Sequence, residues 1–401
     1  MSAASEPGDR RFSGWDVLPA AGVAAVLLLW AVPAALDVTP DDLRVLYEGG
    51  AAAWQSGHPE HARNWLGTAF LALVMALATR VGSLRATTVA LNTLNLALVV
   101  VTLAVVWGWL RGRLSRLAWW ATLACAVSFS PILSTIRWKQ LNLVVLCLAL
   151  AGFALVRLGR GVAGAVLIGL SLALKPLVIV LPVALLSRRD TRVVGAWSLA
   201  AAVVPTVLGL GFLALRARDA SLLSPLPVLQ NFGRRASGFQ ALPENLSPQA
   251  LVQRLTRTDN AAQRAVVLFG VGLGLLLANE SVRQRPGSSW EVFSLALLFS
   301  GLVGPISWSH YQVLFLPLFV LLAYRFSVEG ASGALWLTLA FAYVLCCLVQ
   351  RPLEPTVPGA LRALATGRQE RWEEVAQVLA CAQFAPYFLF LAAYGWFSRQ
   401  R

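Results

Sequence analysis

Long apolar runs are the feature that most limits how this chain can fold. The first covers residues 15–36, and a helix needs about 20 residues to cross a bilayer core. Similar runs recur along the chain, and only 13% of its 401 residues are charged, well below the share in soluble domains. Backbone polar groups in lipid must pair internally, so such runs form helices. The sequence predicts one all-α, polytopic membrane domain over residues 1–401.

The basic residues predict how the chain is oriented. The net charge is +14, and arginines cluster in short segments between the apolar runs, for example at 111–116 and 188–192. This is the pattern of the positive-inside rule rather than of nucleic-acid binding. It predicts a cytoplasmic tail at 1–13, both termini in the cytoplasm, and extracytoplasmic loops at 37–82 and 216–262.

The short apolar run at 65–81 has two interpretations. If it spans the membrane, the basic cluster at 111–116 faces outward. If it lies along the outer surface, the run at 83–110 crosses inward and the cluster is cytoplasmic. The positive-inside rule favours an extracytoplasmic juxtamembrane helix at 65–81.

Two further runs, 162–174 and 177–186, are each too short to span. We expect two half-helices that meet at Lys175 and Pro176, since interrupted helices at membrane depth are tolerated where they line a cavity. Counting these two, the chain has about twelve predicted membrane segments.

Acidic residues are concentrated directly after the first apolar run, at Asp37, Asp41 and Asp42. A carboxylate here is suited to act as a general base that takes a proton from an acceptor hydroxyl. Aspartate before an amphipathic turn is also a common helix cap. The residues alone favour neither interpretation.

Lys175 lies within an apolar stretch, where a lysine costs about 2.5–3.5 kcal/mol on insertion scales. This cost favours a functional role, with a phosphate as the natural partner, over a lysine that snorkels to the interface. Arg137 and Lys139 either complete a phosphate clamp with Lys175 or form a solvated turn. Gln140 and Asn142 either bind a sugar hydroxyl or cap the following helix.

His310 is the histidine placed inside the apolar body of the chain. It is a candidate for proton transfer or for a phosphate or sugar contact, and the alternative is a buried histidine bonded to a neighbouring helix. Trp308 and Tyr311 beside it also fit an interfacial aromatic belt. His58 and His61 lack a third ligand, and the chain has no Walker, GxGxxG or HExxH motif. We therefore expect no metal and no cofactor.

Several short motifs, taken in order, resemble glycosyltransferase family 87. They are Asp42-Leu43-Arg44-Val45-Leu46-Tyr47 with Gly57-His58-Pro59, Ser130-Pro131 with Lys139-Gln140-Leu141-Asn142, Gly169-Leu170-Ser171 with Lys175-Pro176, Asn245-Leu246-Ser247, and Ser307-Trp308-Ser309-His310. The resemblance covers roughly residues 40–325. The chain departs from the family pattern at three positions. Lys139 stands where glycine is usual, and Leu46 replaces an aromatic residue next to Tyr47. The acidic position is doubled, because Asp41 precedes Asp42.

The resemblance implies a GT-C fold and extracytoplasmic transfer of a hexose, with mannose expected, from a polyprenyl-phosphate sugar. The acceptor would be a lipid or glycan at a bacterial cell membrane, and no metal would be needed. Asp42 would be the base, and Lys175 and His310 would be active-site residues. The substrate contacts expected from the motifs and their surroundings are Asp41, Tyr47, Gln140, Asn142, Asn245 and Trp308.

A transporter or flippase of a lipid-linked substrate is the alternative function. Transporters share the interrupted helix, but the sequence shows no inverted repeat and its polar groups gather on one predicted face.

Overall fold

The computed structural model of the chain describes residues 14–37, 41–110, 114–231, 247, 250, 272, 289–303, 309–348 and 385–397. Every regular element in these ranges is helical, which confirms the all-α prediction for this part of the chain. The first apolar run forms α1 (Gly14–Val26), a π-helical turn (Leu27–Ala31) and α2 (Val32–Leu36). The helices that follow are α3 (Asp41–Ser56), α4 (Ala69–Val81), α5 (Leu84–Leu110), α6 (Arg116–Val127), α7 (Ser130–Arg137), α8 (Asn142–Arg157), α9 (Gly161–Leu174), α10 (Val180–Leu186), α11 (Arg192–Ala217), α12 (Ser289–Val303), α13 (Leu316–Glu329), α14 (Gly333–Leu348) and α15 (Ala385–Phe397).

Fewer of these helices are long enough to cross a membrane than the sequence predicts. Among the described residues, five segments have the length and apolar character of a span, or six if the bent pair α9–α10 counts as one. Helices such as α8 and α12 have 16 and 15 residues, below the usual length of about 20. The structure supports a multi-pass helical membrane protein and does not confirm twelve segments.

The interrupted helix lies where the sequence predicts it. The axes of α9 and α10 are bent by 119° at a short break. Lys175 ends α9 with extended backbone (φ −153°, ψ 120°), and Pro176 begins a 3₁₀ turn. Proline disfavours helical backbone in the residue before it, so the sequence itself places the break at Lys175.

Helix α3 is the main difference from the sequence prediction, which treats residues 41–56 as part of a loop. The helix is amphipathic, with Leu43 buried and both Arg44 and Glu48 exposed. It packs closely on α4: a Cβ atom added at Gly50 would lie only 2.5 Å from the carbonyl carbon of Met75. With 13 residues, α4 is too short to span, and its predicted place along the membrane surface stays a prediction.

Buried apolar side chains in the described residues form two cores. The larger core joins α6–α10 with α12–α15 and parts of α1, α2, α5 and α11. The smaller core lies between α3, α4 and α11, with Leu43, Trp65, Met75 and Leu213 among its members. Polar side chains from α3 meet those from the α7–α9 region where the two groups of helices adjoin.

Candidate active site

The central feature of the site is a hydrogen-bonded chain of side chains between a carboxylate and an ammonium group. Gln140 donates from Nε2 to Oδ2 of Asp42, and Gln140 Oε1 accepts from Lys175 Nζ at 2.8 Å. An amide donates through nitrogen and accepts through oxygen, so glutamine can contact both charged groups at once. The structure thus brings together three predicted site residues that are far apart in sequence.

Two more groups surround the Lys175 ammonium. Asn142, which is buried at the start of α8, accepts from Lys175 Nζ through Oδ1 at 2.8 Å. The ammonium also lies 4.6 Å from the ring centre of Tyr311, within the range of a cation–π contact. The sequence of Tyr311 and its neighbours also fits an interfacial aromatic belt, and the structure places the Tyr311 ring against Lys175.

The turn that carries Gln140 has an unusual backbone. Lys139 has φ +52°, a left-handed conformation that favours glycine, and glycine is the residue that the sequence resemblance implies at this position. The Lys139 side chain is fully buried. Its Nζ donates to the carbonyl of Arg137 at 2.6 Å and lies 3.5 Å from Asp37 Oδ2. Lys139 therefore has protein partners of its own, while Arg137 is exposed.

Two buried asparagines of α5 support the same region, and neither is among the site residues predicted from the sequence. Asn95 donates from Nδ2 to the backbone carbonyl of Gln140 at 3.2 Å. Asn92 donates from Nδ2 to the carbonyl of Ala35 at 2.5 Å, at the end of α2. The signal available in the sequence is two amides three residues apart, on one face of a mainly apolar helix.

The start of α4 is anchored beside the break in the α9–α10 pair. Thr68 Oγ1 donates to the carbonyl of Ala173 at 2.6 Å and accepts from Leu71 N at 3.0 Å as the N-cap of α4. This joins α4 to the last turn of α9, two residues before Lys175.

Other predicted residues have structural contacts in the described part of the chain. Tyr47 donates its hydroxyl to the carbonyl of Gly82 at 2.8 Å, which ties α3 to the turn before α5. Gly57 has φ +76° and packs against the backbone of α11. His58 Nδ1 lies 2.8 Å from Oε1 of Glu60.

Some predictions fall outside what the structure describes. Asn245 and Trp308 lie outside the described residues, as do the side chains of Asp41 and His310. The backbone of His310 belongs to a 3₁₀ helix (Ser309–Phe315), one residue before the Tyr311 ring that contacts Lys175. The described residues contain no group of three His, Cys, Asp or Glu side chains that could hold a metal ion.

A mainly apolar pocket, open at the surface, lies between the segment that joins α3 to α4 and the last part of α11 with the residues after it. Pro59, Trp65, Leu213 and Leu222 are among its lining residues. None of the polar residues that surround Lys175 lines it, so we place the chemistry at the cluster.

The arrangement pairs a carboxylate suited to accept a proton with a lysine ammonium suited to bind an anion. The fold around it is that of a multi-pass, helical membrane protein. The sequence model of glycosyltransferase family 87 matches residues 65–305, more than half of the chain, and the chain belongs to this family. The match includes Gln140, Asn142 and Lys175, and Asp42 precedes it. Searches of curated proteins and of solved structures found no match.

Proposed function

We propose that this membrane glycosyltransferase moves a hexose, with mannose as the expected sugar, from a polyprenyl-phosphate donor to a lipid or glycan acceptor. The reaction would occur on the extracytoplasmic face of a bacterial cell membrane. The observation that carries the proposal is the chain from Asp42 through Gln140 to Lys175, beside a bend of 119° between two half-helices. A phosphate-linked donor needs a cation for its leaving group, and the acceptor needs a base.

In the proposed mechanism, Asp42 takes the proton of the acceptor hydroxyl as that oxygen attacks the anomeric carbon. The bond from the anomeric carbon to the phosphate oxygen breaks, and the phosphate leaves with the electron pair. Lys175 stabilises the developing negative charge. Arg137 or Lys139 would donate further hydrogen bonds to the phosphate, as the sequence predicts. Attack from the face opposite the leaving group inverts the sugar configuration. His310 would position phosphate or acceptor.

Gln140 has a positioning role in this mechanism. Its amide forms hydrogen bonds with both Asp42 and Lys175 before substrate binds. These bonds fix the position of the carboxylate relative to the ammonium group. Arrival of a donor phosphate would give Lys175 an anionic partner in place of the amide oxygens of Gln140 and Asn142. Preorganised charges of this kind lower the barrier because they need little rearrangement during the reaction.

The direct test uses purified protein, polyprenyl-phosphate mannose and a membrane lipid extract. We expect release of free polyprenyl phosphate together with a mannosylated product. Asp42→Asn should reduce turnover at least a hundredfold, a typical contribution of a general base, while Asp41→Asn should have the smaller effect of the two. Glu48→Gln, which changes an exposed carboxylate on the same helix, is the matched control. Full activity of Asp42→Asn would contradict the mechanism.

Two further outcomes of this assay separate the alternatives. A flippase, which the interrupted helix also suits, would move the lipid-linked sugar across the membrane without releasing polyprenyl phosphate. Activity that persists after treatment with a chelator would support the proposed metal independence, and loss that added metal restores would contradict it.

A further inference from the structure

Two arginines share one indole ring at the ends of α4 and α11. The guanidinium carbons of Arg80 and Arg216 lie 5.2 and 4.9 Å from the ring centre of Trp54, on α3. Arg216 also donates from Nε to the backbone carbonyl of Trp54. Both arginines are exposed and the indole is half-buried. Three helices therefore bring two positive charges to one aromatic surface.

Neither guanidinium is paired with a carboxylate within the described part of the chain. The acidic side chains in the segments that directly follow α3 and α11 have other partners: Asp219 Oδ1 accepts from Ser221 N at 2.8 Å, and Glu60 lies against His58. Arg216 uses one of its five N–H groups on Trp54, so its two terminal nitrogens can donate elsewhere. Arg80 can donate with all of its N–H groups. The surface has a positive charge that these side chains do not neutralise.

The residues around these arginines are apolar and exposed. On α4, Leu77 and Val81 are 51% and 90% exposed, and their spacing puts them on the same side of the helix as Arg80. On α11, Leu208 and Leu215 are 58% and 77% exposed. In a membrane protein, such residues face acyl chains, and the arginines beside them reach towards the level of the headgroups.

We propose that Trp54, Arg80 and Arg216 form a binding site for the headgroup of an anionic phospholipid from the surrounding bilayer. The two guanidinium groups bind the phosphate, since arginine presents paired N–H donors to phosphate oxygens. The acyl chains lie along the apolar surface of α4 and α11. This site is separate from the Lys175 cluster. It depends on the protein's being in a membrane and not on the proposed reaction.

The test measures lipid retention, without any enzyme assay. Full-length protein is reconstituted with equal amounts of phosphatidylglycerol and phosphatidylcholine, extracted into mild detergent, and its bound lipids are counted by native mass spectrometry. We expect the unchanged protein to retain phosphatidylglycerol preferentially. The Arg80→Gln and Arg216→Gln double variant should lower that preference by roughly tenfold, because each arginine near a membrane surface attracts anionic lipid.

The matched control is the Arg85→Gln and Arg218→Gln double variant, which removes the same charge from exposed arginines outside the Trp54 contact. It should keep the preference for phosphatidylglycerol. An equal loss in both double variants, or no preference in the unchanged protein, would overturn the proposal. A lack of preference in the unchanged protein overturns the proposal even if a variant does not fold, and the single variants Arg80→Gln and Arg216→Gln repeat the comparison if the double variant does not fold. Displacement of the lipid by millimolar inorganic phosphate alone would contradict a lipid as the occupant.

Discussion

Gln140 is the residue on which the geometry of the site depends, because its single amide contacts both charged groups. Its position is fixed from two sides: the backbone of the 138–140 turn bonds back to α7, with Gln140 N donating to Thr135 O at 2.9 Å, and Asn95 bonds the carbonyl of Gln140. A buried polar network of this kind has a strict geometry, since each unsatisfied group would cost free energy. Changes beside Gln140 should therefore alter the position of its amide, on which the proposed catalysis depends, as well as the free energy of unfolding.

Asn95→Leu tests this at a residue that bonds the backbone carbonyl of Gln140 rather than Asp42 or Lys175. Asn95 is fully buried, and its Oδ1 has no hydrogen-bond partner among the described residues. An apolar side chain of similar shape removes both the bond to Gln140 and the unpaired oxygen. Loss of the unpaired oxygen offsets part of the cost of leaving the Gln140 carbonyl without this donor, so the unfolding midpoint should fall modestly. We expect turnover to fall roughly tenfold, the effect of losing about 1.4 kcal/mol of positioning, with little change in KM. Thr93→Ala, at an exposed position of the same helix, is the control. Unchanged turnover in Asn95→Leu would argue against a positioning role.

Lys139 allows the backbone and side-chain contributions of the same turn to be separated. Lys139→Ala and Lys139→Gly both remove the contact with Asp37. Only glycine adopts φ +52° without steric strain. The glycine variant should therefore be more stable than the alanine variant by about 1 kcal/mol, visible as a higher thermal unfolding midpoint of the detergent-purified protein. Equal midpoints would mean that the left-handed backbone carries no strain.

The elements differ in how far the sequence predicts them. The break between α9 and α10 is predictable because proline acts locally on the residue before it, and Lys175 stands out against its apolar neighbours. Helix α3 is not, because its sequence contains Gly49-Gly50 and its helical state depends on packing against α4, which is a tertiary effect. The contributions of Asn95 and of the Tyr311 ring cannot be predicted from the sequence for a similar reason. Each depends on a contact between segments that are far apart in the chain.

Gly209 tests the role of α4 as the element that anchors the site to α11. A Cβ atom at Gly209 would lie 2.4 Å from the carbonyl carbon of Ala69 and 2.5 Å from Phe70 N, so Gly209→Ala must push α4 away. Overpacking of this kind costs about 1–3 kcal/mol, and movement at Thr68 would disturb the end of α9 beside Lys175. We expect both the unfolding midpoint and the transfer activity to fall.

The control is Gly211→Ala on the same helix, where the added methyl group meets no atom within 4 Å. This variant should be as stable as the unchanged protein or slightly more stable, because alanine is the better helix former. Equal behaviour of the two alanine variants would show that the close approach of α4 and α11 is not required.

For the whole molecule, the orientation in the membrane decides whether the proposed chemistry is extracytoplasmic. The clusters of arginine predict the side, while the structure supplies positions at which that prediction can be measured. Arg63 is exposed in the connection between α3 and α4, and Arg189 is exposed in the basic segment between α10 and α11. The predicted topology puts these two positions on opposite sides of the membrane.

A single cysteine introduced at each position makes the orientation measurable with a membrane-impermeant maleimide. We expect Arg63→Cys to be labelled on intact cells, and Arg189→Cys to be labelled only after the membrane is permeabilised. The four described cysteines of the chain are buried or half-buried, so the unchanged protein supplies the background signal. The opposite labelling pattern would place the Asp42–Gln140–Lys175 chain on the cytoplasmic side. A polyprenyl-phosphate donor at the outer face would then be excluded. The membership of the chain in the glycosyltransferase family would not be affected.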